Sequence, residues 1–276
     1  MTVALCVLGS GSGGNATLVS GPGCQVLIDA GFSPNEIGAR LEAAGSGWDR
    51  RWAVILTHTH TDHLYRRCLA VMAARGIPLY CHKDHARQLS KDRHFKKLRA
   101  GNLVRLFSSR GGFEIGPGLS FSPVRLPHDC PPTFGFLISA ADRTGRAWRL
   151  AYLADLGHCP PPLLKKLTHL DLLALEFNHD EQMERRSRRP SFLIDRVLGP
   201  NGHLSNRQAA EILEKILAAG LDGGPGKLIQ LHLSEECNDR KLAYHAALQV
   251  VTRLGAATEI FSSQQHCPGS VHRLGG

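Results

Sequence analysis

Between residues 58 and 63 the chain reads His-Thr-His-Thr-Asp-His, so His58, His60, Asp62 and His63 fall within six positions, directly after the apolar run Trp52–Leu56. Three imidazoles clustered on one short turn have no packing rationale. Imidazole nitrogen binds zinc, iron and manganese, and carboxylate oxygen suits harder divalent ions. One tight turn cannot aim all four groups at a single tetrahedral ion. It can split them, with His58 and His60 on one face and Asp62 and His63 on the other. That split defines two adjacent metal positions, roughly 3.5–4 Å apart in sites that clamp a displaced oxygen. A loop at the end of a buried strand is also where a rigid scaffold displays chemistry.

The rest of the chain follows the same rule. Val3–Leu8, Ala16–Ser20 and Gln25–Ile28 are short apolar runs punctuated by Gly-Ser-Gly-Ser-Gly-Gly and Gly-Pro-Gly, the pattern of strands joined by tight turns. A helical pattern covers Asn35–Ala44 with Pro34 at its start, and another covers Leu64–Ala74. Leu119–Leu126, Phe134–Ser139, Trp148–Leu153, Leu170–Leu175, Lys227–Leu231 and Thr258–Phe261 read as strands, with helices over Asn206–Ala219 (Ser205 as N-cap) and Lys241–Leu254. His58, Asp155, Glu176 and His232 each stand at or just beyond the end of such a strand, and His128 stands two residues past one. Strand blocks alternating with helices twice over predict an α/β fold: two packed mixed β-sheets flanked by helices, an αβ/βα sandwich. No linker or low-complexity stretch divides the chain, so one domain over residues 1–276 is expected.

Composition narrows the setting. No stretch reaches the roughly 18–20 apolar residues of a membrane span, and the N-terminal run is too short and lacks the basic residues of a signal peptide. A cytoplasmic protein with no membrane partner is expected. The eight cysteines are scattered without a CxxC pair, which points to small core residues rather than a zinc knuckle. A formal charge of +9 is concentrated at Arg66 and Arg67, at Lys91–Arg99, and at Arg185, Arg186, Arg188 and Arg189. Basic runs release counterions on binding a polyanion, so nucleic acid is a natural partner and the last four arginines are candidate contacts, although a charge run can equally be a solvated face.

With those residues in view the sequence resembles the metallo-β-lactamase superfamily. The resemblance implies further ligands: His128 in Leu-Pro-His-Asp, Asp155 in Tyr-Leu-Ala-Asp and His232 in Leu-His-Leu-Ser. It assigns His58, His60 and His128 to one metal, Asp62, His63 and His232 to a second, and Asp155 to both, with Asp62 also counted in the catalytic set. The metals expected are two divalent ions, zinc or manganese, with iron as a further option. Asp29 in Leu-Ile-Asp-Ala-Gly matches the buried early aspartate that orients the histidine loop without binding metal.

The superfamily cleaves lactams, thioesters and phosphodiesters, so fold alone does not name the substrate. Glu176 in Leu-Glu-Phe-Asn-His-Asp and His203 in Gly-His-Leu-Ser-Asn resemble the glutamate–histidine pair of the phosphodiesterase branch. An imidazole held by a carboxylate suits protonation of a departing alkoxide. The glycines at 9, 11, 13 and 14 precede a strand rather than a helix, which rejects a dinucleotide-binding loop and leaves a tight turn near the metal loop. His158 and His179 lie close enough in sequence to the presumed site to be watched. Taken in order, Gly-Ser-Gly-Ser-Gly-Gly-Asn, the histidine motif, Leu-Glu-Phe-Asn-His-Asp, Gly-His-Leu-Ser-Asn and His-Leu-Ser-Glu-Glu-Cys-Asn resemble the YycJ/WalJ group of this superfamily. That resemblance implies a 5′→3′ exonuclease on double-stranded DNA, using a hydroxide activated by two metals. A small-molecule cyclic phosphodiesterase and a glyoxalase II-like thioesterase remain the rival readings.

Overall fold

The computed structural model describes residues 3–21, 23–47, 52–141, 147–220 and 224–274. Its first sheet is laid down by β1 (Val3–Gly9), β2 (Ala16–Gly21) and β3 (Cys24–Ile28), then, after α1 (Pro34–Ala43), by β4 (Trp52–Ile55). Helix α2 (Arg67–Arg75) leads to β5 (Leu79–His82), and α3 (Lys83–Leu89) and α4 (Arg93–Ala100) lead to β6 (Val104–Phe107). The second sheet begins with β7 (Phe113–Glu114), β8 (Leu119–Leu126), β9 (Thr133–Ala141) and β10 (Ala147–Leu153). It continues through α5 (Pro161–Leu164), β11 (Leu172–Glu176), α6 (Glu181–Arg186), α7 (Ser191–Leu198), α8 (Asn206–Ala219), β12 (Lys227–Leu231), α9 (Arg240–Arg253) and β13 (Glu259–Ser262). Strand β14 (His272–Leu274) returns to pair with β1. The sheet orders are β14-β1-β2-β3-β4-β5-β6 and β13-β12-β11-β10-β9-β8-β7, two mixed seven-stranded sheets flanked by helices, as the sequence pattern predicts.

The chain's contacts fall into two compact units, Met1–Pro123 with Ser139–Trp148 and Gln264–Gly276, and Val124–Ile138 with Arg149–Ser263. Each has its own core. In the first, Leu8, Leu18, Leu27, Val54 and Leu79 from the strands pack with Ile37 and Leu41 of α1, Leu69 and Met72 of α2, and Phe95 and Leu98 of α4. In the second, Leu153, Leu173, Leu175 and Leu228 pack with Leu213 and Ile216 of α8 and Val250 and Val251 of α9. Helix α8 starts where the sequence places it. The Ser205 hydroxyl accepts from Gln208 N while the Gln208 side chain accepts from Ser205 N, closing a reciprocal cap. Helix α2 starts later than its apolar pattern suggests, because Leu64 forms a bridge with Ala30 and Tyr65 N donates to Ala30 O, so those backbone groups are already committed. Elements β5, α3, α4 and β6 lay outside the sequence reading; the helices are short and polar, and β6 is an edge strand whose Arg105 and Leu106 are exposed.

Register explains why chemistry collects where it does. Strands β3, β4 and β5 run parallel, with Ile28 opposite Ile55 and Ile55 opposite Tyr80, so the residues that follow them emerge at one edge. Strands β10, β11 and β12 are also parallel, with Leu153 opposite Leu175 and Glu176 opposite Leu231. Polar groups placed just past parallel strands therefore gather without any helix having to carry them. Three of these strand-end residues, Asp29, Asp155 and His232, take left-handed backbone angles with φ of 62°, 56° and 55°. Such a conformation is costly for a residue with a Cβ and persists where surrounding bonds over-determine it.

Three segments of the first unit cross at Gly31. Its N–H donates to Asn15 O, while Asn15 N donates to Asp62 O. A Cβ there would stand 1.7 Å from Asp62 O. Gly31→Ala should therefore cost at least the roughly 1–3 kcal/mol of an overpacked site and displace the histidine loop. Gly226→Ala, whose Cβ would meet only Asp171 O at 3.7 Å, should stay within about 1 kcal/mol. Urea unfolding of both variants checks this, and equal stabilities would refute the crossing as a packing constraint.

Candidate metal centre

The histidine motif leaves β4 through Thr57, and Asp29 leaves β3 beside it. Asp29 is fully buried, and its two oxygens accept from Thr57 N at 2.8 Å, from the Thr57 hydroxyl at 2.7 Å and from His63 Nδ1 at 2.7 Å. Burial pushes the Asp29 carboxyl above its ordinary range, against the opposing pull of His63 and the Thr57 donors. Thr57 Oγ1 also lies 3.0 Å from His58 Nδ1. The rings of His58 and His63 have centroids 4.1 Å apart, and those of His58 and His60 4.7 Å apart. Asp62 Oδ2 stands 3.5 Å from His63 Nε2. The six-residue motif is thus one tightly packed loop with His58 and His63 buried and His60 and Asp62 half-buried.

The glycine-rich opening serves this loop. It forms the turn between antiparallel β1 and β2, where the Asn15 side chain accepts from Ser10 Oγ at 2.9 Å and Gly11 N at 3.1 Å and returns a bond to Gly11 O. The same Asn15 amide reaches His63 Nε2 at 3.0 Å and Asp62 Oδ2 at 3.4 Å. Asn15 is a site residue the sequence reading missed. Its signal was there, because a fully polar amide directly ahead of the buried run Ala16–Val19 needs buried partners. Thr59, between the two histidines, donates to Gln88 of α3 at 2.6 Å and ties the loop to that helix.

In the second unit Glu176 ends β11 with no access to solvent. Its Oε2 accepts from Leu156 N at 2.9 Å and Leu204 N at 3.1 Å, and its Oε1 lies 2.7 Å from His203 Nδ1 and 3.2 Å from His232 Nδ1. Burial works to raise the Glu176 carboxyl, but the charge and hydrogen bond of His203 and the bond from His232 outweigh it and hold the group at about 2. Asp155 Oδ1 stands 3.4 Å from His203 Nδ1 and 3.5 Å from His232 Nε2. Asp155, Glu176, His203 and His232 offer ligand atoms that all lie within 4.8 Å of one another. Asn178, also missed from sequence, contacts the same ring nitrogen, with its amide 3.0 Å from His232 Nδ1 and 2.8 Å from the His232 carbonyl.

His128 is buried, with Nδ1 3.1 Å from Gly202 O and Nε2 3.2 Å from Asp129 Oδ1. Burial lowers its pKa, which favours the neutral ring that metals bind. Gly202 sits in the loop that carries His203, and the two rings are 5.1 Å apart. His158 is exposed and contacts Pro200 O, and His179 is buried behind the loop; neither joins a ligand cluster among the described residues.

The donor chemistry fits a divalent metal. His58, His63, His128 and His232 each have Nδ1 engaged, by Thr57, Asp29, Gly202 O and Glu176 respectively. Holding one ring nitrogen fixes the orientation of the ring, as proteins do for metal-binding imidazoles.

The basic run 185–189 is not uniform. Arg189 pairs with the fully buried Glu184 at 3.1 Å and with Glu236 at 2.9 Å, so its charge is compensated. Arg185, Arg186 and Arg188 are exposed, and no ion pair engages them among the described residues.

Comparison with known proteins agrees with this geometry. A family model described as a beta-lactamase superfamily domain matches residues 25–221. Exodeoxyribonuclease WalJ of Streptococcus pneumoniae serotype 2 (strain D39 / NCTC 7466) is 26% identical over 245 residues, covering 86% of this chain and 84% of that protein. Exodeoxyribonuclease YycJ of Bacillus anthracis is 26% identical over 276 residues, covering 96% and 97%. The crystal structure of Zn(2+)-bound PqqB from Methylobacterium extorquens has the same fold, with a TM-score of 0.69 at 18% identity over 97% of this chain and 99% of that one. With both sheets, the buried carboxylates and the histidine clusters in place, the chain belongs to the metallo-β-lactamase branch of the beta-lactamase superfamily and is a metal-dependent hydrolase.

Proposed function

We propose that the protein is a nuclease that hydrolyses phosphodiester bonds, a 5′→3′ exonuclease acting on double-stranded DNA with two divalent ions, zinc or manganese. The observation that carries the reading is the Glu176–His203 pair, a buried carboxylate 2.7 Å from an imidazole, beside Asp155 and His232. A thioester has a good leaving group and needs no such acid, whereas an alkoxide departs poorly unless protonated. The two relatives named exodeoxyribonucleases support the choice of substrate class.

Charge supports it too. Residues 83–105 carry eight Lys or Arg against two Asp, and most of those cations lie exposed on α3 and α4, with Thr59–Gln88 tying α3 to the histidine loop. Such a surface attracts phosphate without reading sequence, so cleavage is expected to be sequence-tolerant.

The ligand assignment is the one the family resemblance implies: His58, His60 and His128 for one ion, Asp62, His63 and His232 for the other, and Asp155 for both. A bound divalent ion there supplies Lewis acidity, acidifying water and neutralising phosphate charge. The chain's own residues do the rest. Asp29 and Glu176 fix the ring nitrogens that point away from the ligand position. Glu176 accepts from His203 Nδ1 and stabilises the imidazolium, and His203 Nε2 delivers its proton to the departing oxygen.

His203→Ala should lower cleavage of a DNA duplex by about 10²–10⁴-fold while barely changing hydrolysis of a nitrophenyl phosphodiester, whose leaving group needs little protonation. Metal content should be unchanged. Equal losses on both substrates would show that His203 binds phosphate or shapes its loop, and undiminished DNA cleavage would sink the phosphodiesterase reading.

Glu176→Gln should lose less DNA cleavage than His203→Ala but should also retain metal more weakly. The substituted side chain disturbs His232 as well as His203, both of which contact Oε1. Asp155→Ala should abolish activity and reduce metal stoichiometry. Elemental analysis of the purified variants decides this, and full occupancy with full activity in Asp155→Ala would refute the assignment.

A further inference from the structure

Phe192 is the most exposed large apolar side chain among those described, at 72% of its surface. It stands on the second residue of α7, and only Val197 of that eight-residue helix is buried; Leu193, Ile194 and Leu198 are partly covered. An aromatic ring this open contributes little to its own core, so its position calls for another explanation.

Its neighbours in sequence supply one. Arg188 lies four residues before it, and Arg185 and Arg186 end α6 just upstream, all three exposed and outside any ion pair among the described residues. The segment carrying them is held rigidly, because Arg189 is locked onto buried Glu184 and onto Glu236. At its other end α7 is fastened to the candidate site. Val197 O accepts from His203 N at 3.0 Å, and Arg196 pairs with Asp129, the neighbour of His128. Phe192 and Val197 are five residues apart on α7, an axial rise of about 7.5 Å.

We propose that Phe192 is a base-stacking residue, and that with Arg185, Arg186 and Arg188 it forms a platform for the nucleic-acid strand on the helix that abuts the His203 loop. The inference rests on the nuclease reading above and adds where the strand is gripped. An aromatic face stacks on any base, and neighbouring guanidinium groups hold the phosphates, so together they give affinity without sequence preference. The occupant is a polyanion rather than a second copy of the chain, since a symmetric contact through this helix would bring two clusters of unpaired arginines together.

The test compares the wild type, Phe192→Ala and Phe192→Tyr on a blunt DNA duplex. A second duplex carries abasic sites at the first three positions of the cleaved end, and a nitrophenyl phosphodiester serves as the small substrate. Removing an exposed ring leaves no cavity, so all three proteins should melt alike. Phe192→Ala should raise KM on the intact duplex by roughly five- to a hundredfold, in line with the loss of one stacked base. Phe192→Tyr should stay near wild type, and the nitrophenyl ester should be cut equally by all three. The abasic duplex should penalise the wild type by a similar factor and Phe192→Ala hardly further.

Additive losses from the mutation and the abasic sites would overturn stacking, as would an unchanged KM in Phe192→Ala. Equal loss on the nitrophenyl ester would mean that α7 merely props the His203 loop. A changed sedimentation coefficient with unaltered DNA kinetics would assign the ring to self-association instead. If the wild type cuts the nitrophenyl ester but neither binds nor cuts a duplex, the nuclease reading itself has failed, a result separate from any failure of Phe192.

Discussion

A carboxylate with no access to water must be hydrogen-bonded on both oxygens, or its desolvation costs several kcal/mol. Asp29 in one unit and Glu176 in the other are such groups at the end of a central parallel strand, and each is used the same way. Asp29 accepts a backbone amide and a hydroxyl from Thr57 and reaches His63 Nδ1. Glu176 accepts the backbone amides of Leu156 and Leu204 and reaches the Nδ1 atoms of His203 and His232. The amides fix the carboxylate, and the carboxylate fixes the rings. Removing either group would strand buried donors as well as free the imidazoles, which makes these acids expensive to replace.

Strain belongs to the same arrangement. Asp29, Asp155 and His232 hold left-handed backbone angles that cost on the order of 1–3 kcal/mol each, and all three sit where a strand turns into a functional loop. The bonds around them are dense enough to hold that geometry: Thr57 and His63 for Asp29, Asn178 and Glu176 for His232. A left-handed residue reverses the chain at once, which keeps its side chain at the strand end instead of carrying it away along a turn.

An acid-held imidazole and a surplus of exposed cations occur together in this chain. Charge alone is a weak guide. Arg189 belongs to the most basic run in the second unit, yet its charge is consumed by Glu184 and Glu236, while its neighbours Arg185, Arg186 and Arg188 face solvent. A count of arginines cannot make that distinction, because it depends on which carboxylate the fold brings near.

Much of this was legible in the residues. Short apolar runs placed the central strands to within about two residues of their observed ends, and the Ser205 cap placed α8, because both signals are local. The histidine cluster announced metal chemistry because no packing argument accounts for it. Asn178 and Gln88 were not legible, since an amide takes its role from partners 54 and 29 residues away. The short, polar helices α3, α4 and α6 escaped for a related reason: they lack an apolar stripe long enough to declare itself, and their caps and tertiary contacts hold them. By itself, then, the sequence determined the strand pattern, the candidate donor types and the strand ends that bear them, all properties of near neighbours in the chain. Only the tertiary structure decided which buried carboxylate holds which ring, which arginine is spent on an ion pair and which aromatic is left open to solvent. Those outcomes depend on parallel register and loop reversal, which bring together residues that have no relation in sequence.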